Sequence, residues 1–146
     1  MSDENVDLIR RAYEVINAIG RTSEAFVDPE EVDRDLWEQF DPAFELHERP
    51  DLPDRKVYRG REESKQFWRR IQELFSELRW EPRGFTDLGH AVVVDTRVFG
   101  LGRGGGVPIE ADETDVFWFR DDRIVRLQGF PSHEEAMAAA TSVSIP

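Results

Sequence analysis

Glu45 and His47 stand two residues apart in Phe44–Glu48, a segment whose alternating apolar and polar side chains predict a strand. A period of two puts the carboxylate and the imidazole on one face, with Phe44 and Leu46 on the other. An unperturbed imidazole titrates at about pH 6.5 and is substantially neutral in neutral solution. His47 can therefore accept a proton, and Glu45 can share it or act alone as a carboxylate base. The competing reading is a solvated rim at a strand end. Asp115 is a third candidate. Val116, Phe117, Trp118 and Phe119 follow it, so an inward carboxyl would be costly to ionise, whereas an outward one is an ordinary acid beside Thr114.

Other chemistry finds less support. Glu45, His47 and Glu48 are dense, but His90 and His133 lie in other segments and no His-Glu-x-x-His spacing occurs, so no metal site is expected. Cysteine is absent, which removes thiol chemistry, disulfides and Cys-ligated zinc. Arg103 sits in the glycine-rich run Gly100–Gly106. Phosphate loops join a strand to a helix, and here strands flank the run on both sides, so it reads as a mobile hairpin tip bearing no ligand. Asp95 and Arg97 alternate out of phase with Val92, Val94, Thr96 and Val98, and read as an ion pair on the surface or at a dimer face. No Ser-His-Asp arrangement or nucleotide motif is present.

The elements that must hold these residues follow from periodicity. Leu8, Ala12, Val15 and Ile19, beside Ile9, Tyr13 and Ile16, predict a helix over the first twenty residues, capped by Ser2 or Asp3 and ended by Gly20. Asp28-Pro29-Glu30-Glu31 announces a second helix carrying Val32, Leu36, Trp37 and Phe40. Arg49–Arg59, with two prolines, reads as a loop. The strongest helix follows Gly60, with Phe67, Trp68, Ile71, Leu74, Phe75 and Leu78 as its stripe. Strands are expected around Leu78–Phe85 and at Ala91–Phe99, Ile109–Phe119 and Ile124–Phe130, the last two joined at Asp121-Asp122. Ser132 and Glu135 open a closing helix. This order is α+β, in a single domain over residues 1–146.

Composition narrows the partners. The net charge of −12 repels phosphate backbones and anionic lipids, so neither nucleic acid nor a membrane is expected. The acidic start and the lack of a long apolar run imply a cytoplasmic location. Ten Phe and four Trp among 146 residues supply enough apolar area for a core.

Ile9-Arg10-Arg11-Ala12-Tyr13-Glu14, Phe40-Asp41-Pro42-Ala43-Phe44-Glu45, Tyr58-Arg59-Gly60-Arg61-Glu62 and Phe67-Trp68-Arg69-Arg70 carry a family likeness in their order and spacing. So do the run from Val92 through Gly106 to Asp115-Val116-Phe117-Trp118-Phe119, and Glu134-Glu135-Ala136. Across nearly its whole length the chain resembles the SnoaL-like branch of the nuclear-transport-factor-2-like superfamily, which also holds ketosteroid isomerases and small polyketide cyclases.

The resemblance implies a cone-shaped, curved antiparallel sheet wrapped around the N-terminal and central helices, with an apolar pocket for a hydrophobic small molecule. Trp68, Val92, Val94, Phe117 and Leu127 are expected to line it. Ketosteroid isomerases combine a carboxylate base with a tyrosine hydroxyl and a protonated aspartic acid. That pattern places Tyr13 and Asp115 at the two donors, and His47 where the isomerases have their aspartate base. Trp68 falls where they have a second tyrosine. No cofactor is implied. Two classes stay open: a cofactor-free isomerase or cyclase acting on an enolisable carbonyl, and a non-catalytic ligand binder or dimeric orphan domain. Val93, Phe99 and Trp118, pointing outward, would form an apolar patch for a homodimer through the outer sheet face.

Overall fold

The predicted N-terminal stripe forms α1 (Ser2–Gly20), with Ile9, Ala12, Tyr13, Val15, Ile16 and Ile19 all buried. The computed structural model describes residues 2–20 and 27–142, and the expected Ser2 or Asp3 cap lies outside the described side chains. Gly20 closes α1 for a packing reason. A Cβ there would sit 1.8 Å from the carbonyl oxygen of Leu78 on β3 (Phe75–Asp87), so only glycine lets the helix lie this close to the strand.

The helix expected after Asp28 is in fact two, α2 (Pro29–Val32) and α3 (Arg34–Trp37). Asp28 caps the first by accepting from the Glu30 N–H at 2.9 Å. Asp33, extended at φ −151°, ends α2 and caps α3 through Leu36 N–H; α3 stops at Trp37, so Phe40 falls into a strand instead. Lys65 on α4 (Gly60–Leu74) fastens this region. Its ammonium lies 3.2 Å from each of the Asp28, Glu30 and Glu62 carboxylates. The central helix is shorter than its stripe suggested: Phe75 turns extended, so Phe75 and Leu78 belong to β3.

The remaining strands are β1 (Phe40–His47), β2 (Val57–Arg59), β4 (Ala91–Gly102), β5 (Pro108–Arg120) and β6 (Arg123–Phe130). They form one curved, unclosed sheet in the order β2-β1-β6-β5-β4-β3. Two expectations need correction. The Arg49–Arg59 segment contains β2, too short to leave an alternation signal, and β1 pairs with β6 in parallel, so the sheet is mixed. Irregularities between Pro82 and Gly84 and between Trp118 and Phe119 bend the long strands. The inner face packs on α1 and α4 around Val92, Val94, Phe117 and Phe119.

The outer face is occupied by α5 (His133–Ser142), which covers Val93, Val116, Trp118, Val125 and Phe130. Histidines tie both its ends: His133 Nδ1 meets Asp95 Oδ1 at 2.9 Å, and His90 Nε2 meets the Ala140 carbonyl at 2.7 Å. Val93 and Trp118 are therefore fully buried within the chain, and Phe99 lies under the Arg79 guanidinium at 4.7 Å. The apolar patch from which a dimer was expected does not exist as such. Asp95 and Arg97 are not paired with each other either, because Arg97 reaches across to Glu110 and Asp112 on β5. The glycine-rich tip is anchored, its Arg103 Nε donating to the Gln72 carbonyl at 2.7 Å. No helix among the described residues is long and apolar enough to cross a membrane.

Candidate functional site

Alternation along β5 turns Glu113, Asp115, Phe117 and Phe119 toward the helices, and the first two meet as a carboxyl pair. The Tyr13 hydroxyl, brought in by α1, donates to Asp115 Oδ2 at 2.6 Å. Trp80 Nε1 donates to Glu113 Oε2 at 3.3 Å, and Arg49 reaches Glu113 Oε1 at 3.4 Å while holding Asp51 at 2.8 Å. Across the ladder from Asp115 stands Gly129. A Cβ at that position would lie 3.2 Å from both Asp115 Oδ1 and Glu113 Oε1, so the bare glycine leaves the room the pair occupies.

Burial pushes the Asp115 carboxyl well above the usual carboxylate range. The neighbouring Glu113 charge and its hydrogen bond push the same way, against the smaller opposing effects of the Tyr13 bond and Arg49. The Tyr13 hydroxyl is raised too, first by burial and then by Asp115, so it stays a donor. Two carboxyls this close do not both ionise, and the pair holds a proton. Burial makes Asp115 the one that keeps it, while the Trp80 and Arg49 N–H donors face Glu113. Such a pair can donate and accept a proton at one place.

The pair faces a cavity of about 420 Å³. Trp68, Phe117 and Leu127 line it, with Ile16, Phe67, Ile71 and Trp80. Leu52, Leu74 and Ile109 line it while remaining more than a third exposed, which marks its opening. Val92 and Val94 do not line it. They are buried completely in the core cluster that includes α1, one layer away. Tyr13 is also absent from the wall, since its hydroxyl is spent on Asp115 and its ring packs edge-on to Phe117 at 5.7 Å.

Glu45 and His47 do not join the pair. Strand parity sends Leu46 inward and turns both of them to the opposite face of β1. There His47 Nε2 contacts Glu45 Oε1 at 2.8 Å and Arg59 pairs with Glu45. His47 touches the cavity margin and Glu45 does not touch it. Burial lowers the His47 pKa, with Arg126 and Arg59 adding to the effect against the raising influence of Glu45. Burial would raise Glu45, but the His47 bond and the nearby cations outweigh it and hold its carboxyl low. The carboxylate that stands beside Asp115 is Glu113, not Glu45. Parity alone could have found it, two residues before Asp115 on the same face, just as a lone glycine inside the β6 pattern could have flagged Gly129. Among the described residues no group of three His, Asp or Glu side chains is placed to hold a metal.

The SnoaL-like domain family matches residues 9–127, and the chain belongs to it. Among curated proteins none matches by sequence. Solved structures share the fold. A protein described as a candidate SnoaL-like polyketide cyclase from a Jannaschia species is 19% identical with a TM-score of 0.69, covering 98% of this chain and 95% of its own. A nuclear-transport-factor-2-like protein of unknown function from Burkholderia pseudomallei is 18% identical at TM-score 0.67, covering 94% and 98%. TerC, crystallised with polyporic acid, is 17% identical at TM-score 0.67, with the same coverage.

Proposed function

We propose that this SnoaL-like protein is a cofactor-free enzyme of the isomerase or cyclase type, acting on an apolar, ring-containing molecule with an enolisable carbonyl. One observation carries the reading: the Asp115 and Glu113 carboxyls, side by side, face a cavity whose other walls are mostly aromatic and aliphatic. In this reading the Asp115 O–H turns from Glu113 to the carbonyl oxygen as negative charge gathers there, which frees the Glu113 oxygen it was bonded to. Glu113 takes the proton from the adjacent carbon. Tyr13 is a positioning residue that fixes Asp115 through Oδ2. Low polarity around the pair strengthens these interactions relative to water. The names of two structural neighbours, a candidate polyketide cyclase and a protein crystallised with polyporic acid, agree with a ligand of this kind.

The test is deuterium uptake by β-tetralone in D₂O, followed by proton NMR. Exchange at the carbon next to the carbonyl should run above the buffer rate with the wild-type protein and fall to that rate in Glu113→Gln. No acceleration by the wild type would overturn the enzyme reading. The Tyr13 hydroxyl, committed to Asp115, leaves one donor where an oxyanion site of the isomerase type has two, and this favours binding without turnover as the second reading. Calorimetric binding of β-tetralone with no exchange would establish that reading instead.

A further inference from the structure

Behind the cavity lies a second, smaller space of about 30 Å³, and Ile16, Leu46, Trp68, Phe117 and Leu127 line both. The small space is otherwise walled by side chains that include Ala12, Val15, Ile19, Trp37 and Phe44. Its one hydroxyl, on Ser64, already donates to the Arg61 carbonyl at 2.6 Å. A water would have the volume but not the two or more polar partners that hold it, so the space is dry. Atoms lining a dry void forgo dispersion contacts that an apolar group would restore.

Of the five shared wall residues, Trp68 is the largest and the one supplied by α4; the other four come from α1 and the sheet. Its ring is held edge-on between Phe67, with centroids 4.8 Å apart, and Trp80, at 6.2 Å. Those contacts fix it by packing, without a hydrogen bond to break when it moves.

We infer that the void is a latent subsite for the apolar end of a ligand, and that Trp68 is the partition that sets how long a ligand the cavity accepts. This rests on the reading of the large cavity as the ligand site. Its chemistry is aliphatic, since the surface the walls present is almost wholly apolar and carries no charge.

A series of 4-alkylphenols of increasing chain length, titrated calorimetrically, tests it. Wild-type affinity should rise about fourfold per methylene up to a cut-off and then stop rising. Trp68→Leu should move that cut-off to longer chains. Trp68→Phe should move it less, and serves if the leucine variant does not fold. Adding Ala12→Val, which fills the void from the α1 side, should return the cut-off to its wild-type length. A cut-off unmoved in Trp68→Leu or Trp68→Phe, or a wild-type series with no cut-off, overturns the inference while leaving the large cavity as the ligand site. Failure of every phenol to bind the wild type overturns both.

Discussion

Gly129 stands directly across the β5–β6 ladder from Asp115, and the space its missing side chain leaves is the space the two carboxyl groups fill. Gly129→Ala puts a methyl group 3.1 Å from the Glu113 carboxyl carbon and 3.2 Å from Asp115 Oδ1. The carboxyls must shift together, at a cost of about 1–2 kcal/mol. Urea unfolding of Gly129→Ala, alone and combined with Asp115→Ala, measures it. The penalty should shrink in the double variant, because one of the two colliding carboxyls has gone and the other can shift into its place.

Asp115→Asn should become more stable relative to the wild type as pH rises. The folded Asp115 keeps its proton to a higher pH than the unfolded chain does, whose carboxyl titrates at about pH 4. From there up to the raised folded value the native state binds more protons, so wild-type stability falls with pH at no more than about 1.4 kcal/mol per unit, then levels off. Asparagine has no such dependence, accepts from Tyr13 through its oxygen and donates to Glu113 through its nitrogen. Denaturant melts from pH 4 to pH 9 should show the two curves diverging, and a constant difference would contradict the buried neutral acid.

Tyr13→Phe leaves Asp115 Oδ2 buried without its donor. A loss of about 1–3 kcal/mol is expected. The Tyr13 bond is one of the influences holding the Asp115 pKa down, so that pKa should climb further in the variant. Carbon-detected NMR titration of the Asp115 carboxyl reads the direction.

Glu45→Gln should leave 4-alkylphenol affinity within about twofold of wild type, because Glu45 has no part in the cavity wall. The same change removes a raising influence on His47, whose pKa should drop further below the ordinary histidine value in a histidine NMR titration. A large loss of affinity would mean that the β1 outer face communicates with the site.

Asp121 and Asp122 form the β5–β6 turn with φ at +52° and +63°, a left-handed conformation that asparagine and glycine accept more readily than aspartate. Two adjacent like charges add to the cost. Replacing them by Asn-Gly should stabilise the fold by about 0.5–1 kcal/mol, read as a rise in the urea midpoint with an unchanged slope.

Much of this arrangement was legible before any coordinates, for local reasons. Period-3.6 stripes reveal α1 and most of α4, and strict alternation places Leu46 and Glu45 on opposite faces of β1 whatever the tertiary fold. Long-range pairing was not legible. Nothing in Phe40–His47 says that its neighbour is Arg123–Phe130, running parallel, and nothing in the alanine-rich α5 says that it covers Trp118. The site shows the same division. Asp115 could be singled out from its apolar neighbours and its match to the family pattern. Which carboxylate would stand beside Asp115 depended on which side of β1 faces the helices relative to β5.

The seating of β1 against β6 bears on the order in which the molecule is made. Strands β3, β4 and β5 follow one another in hairpins and can pair as they emerge, whereas β1 and the short β2 hanging on it find their place in the sheet after β6 has been synthesised. Closing so long a stretch of chain is an entropic cost met before any contact repays it, and it slows folding. The wall that carries Leu46 and the Arg49 contact to Glu113 therefore waits for Arg123–Phe130, and so does the pocket of space at Gly129 in which the two carboxyls meet.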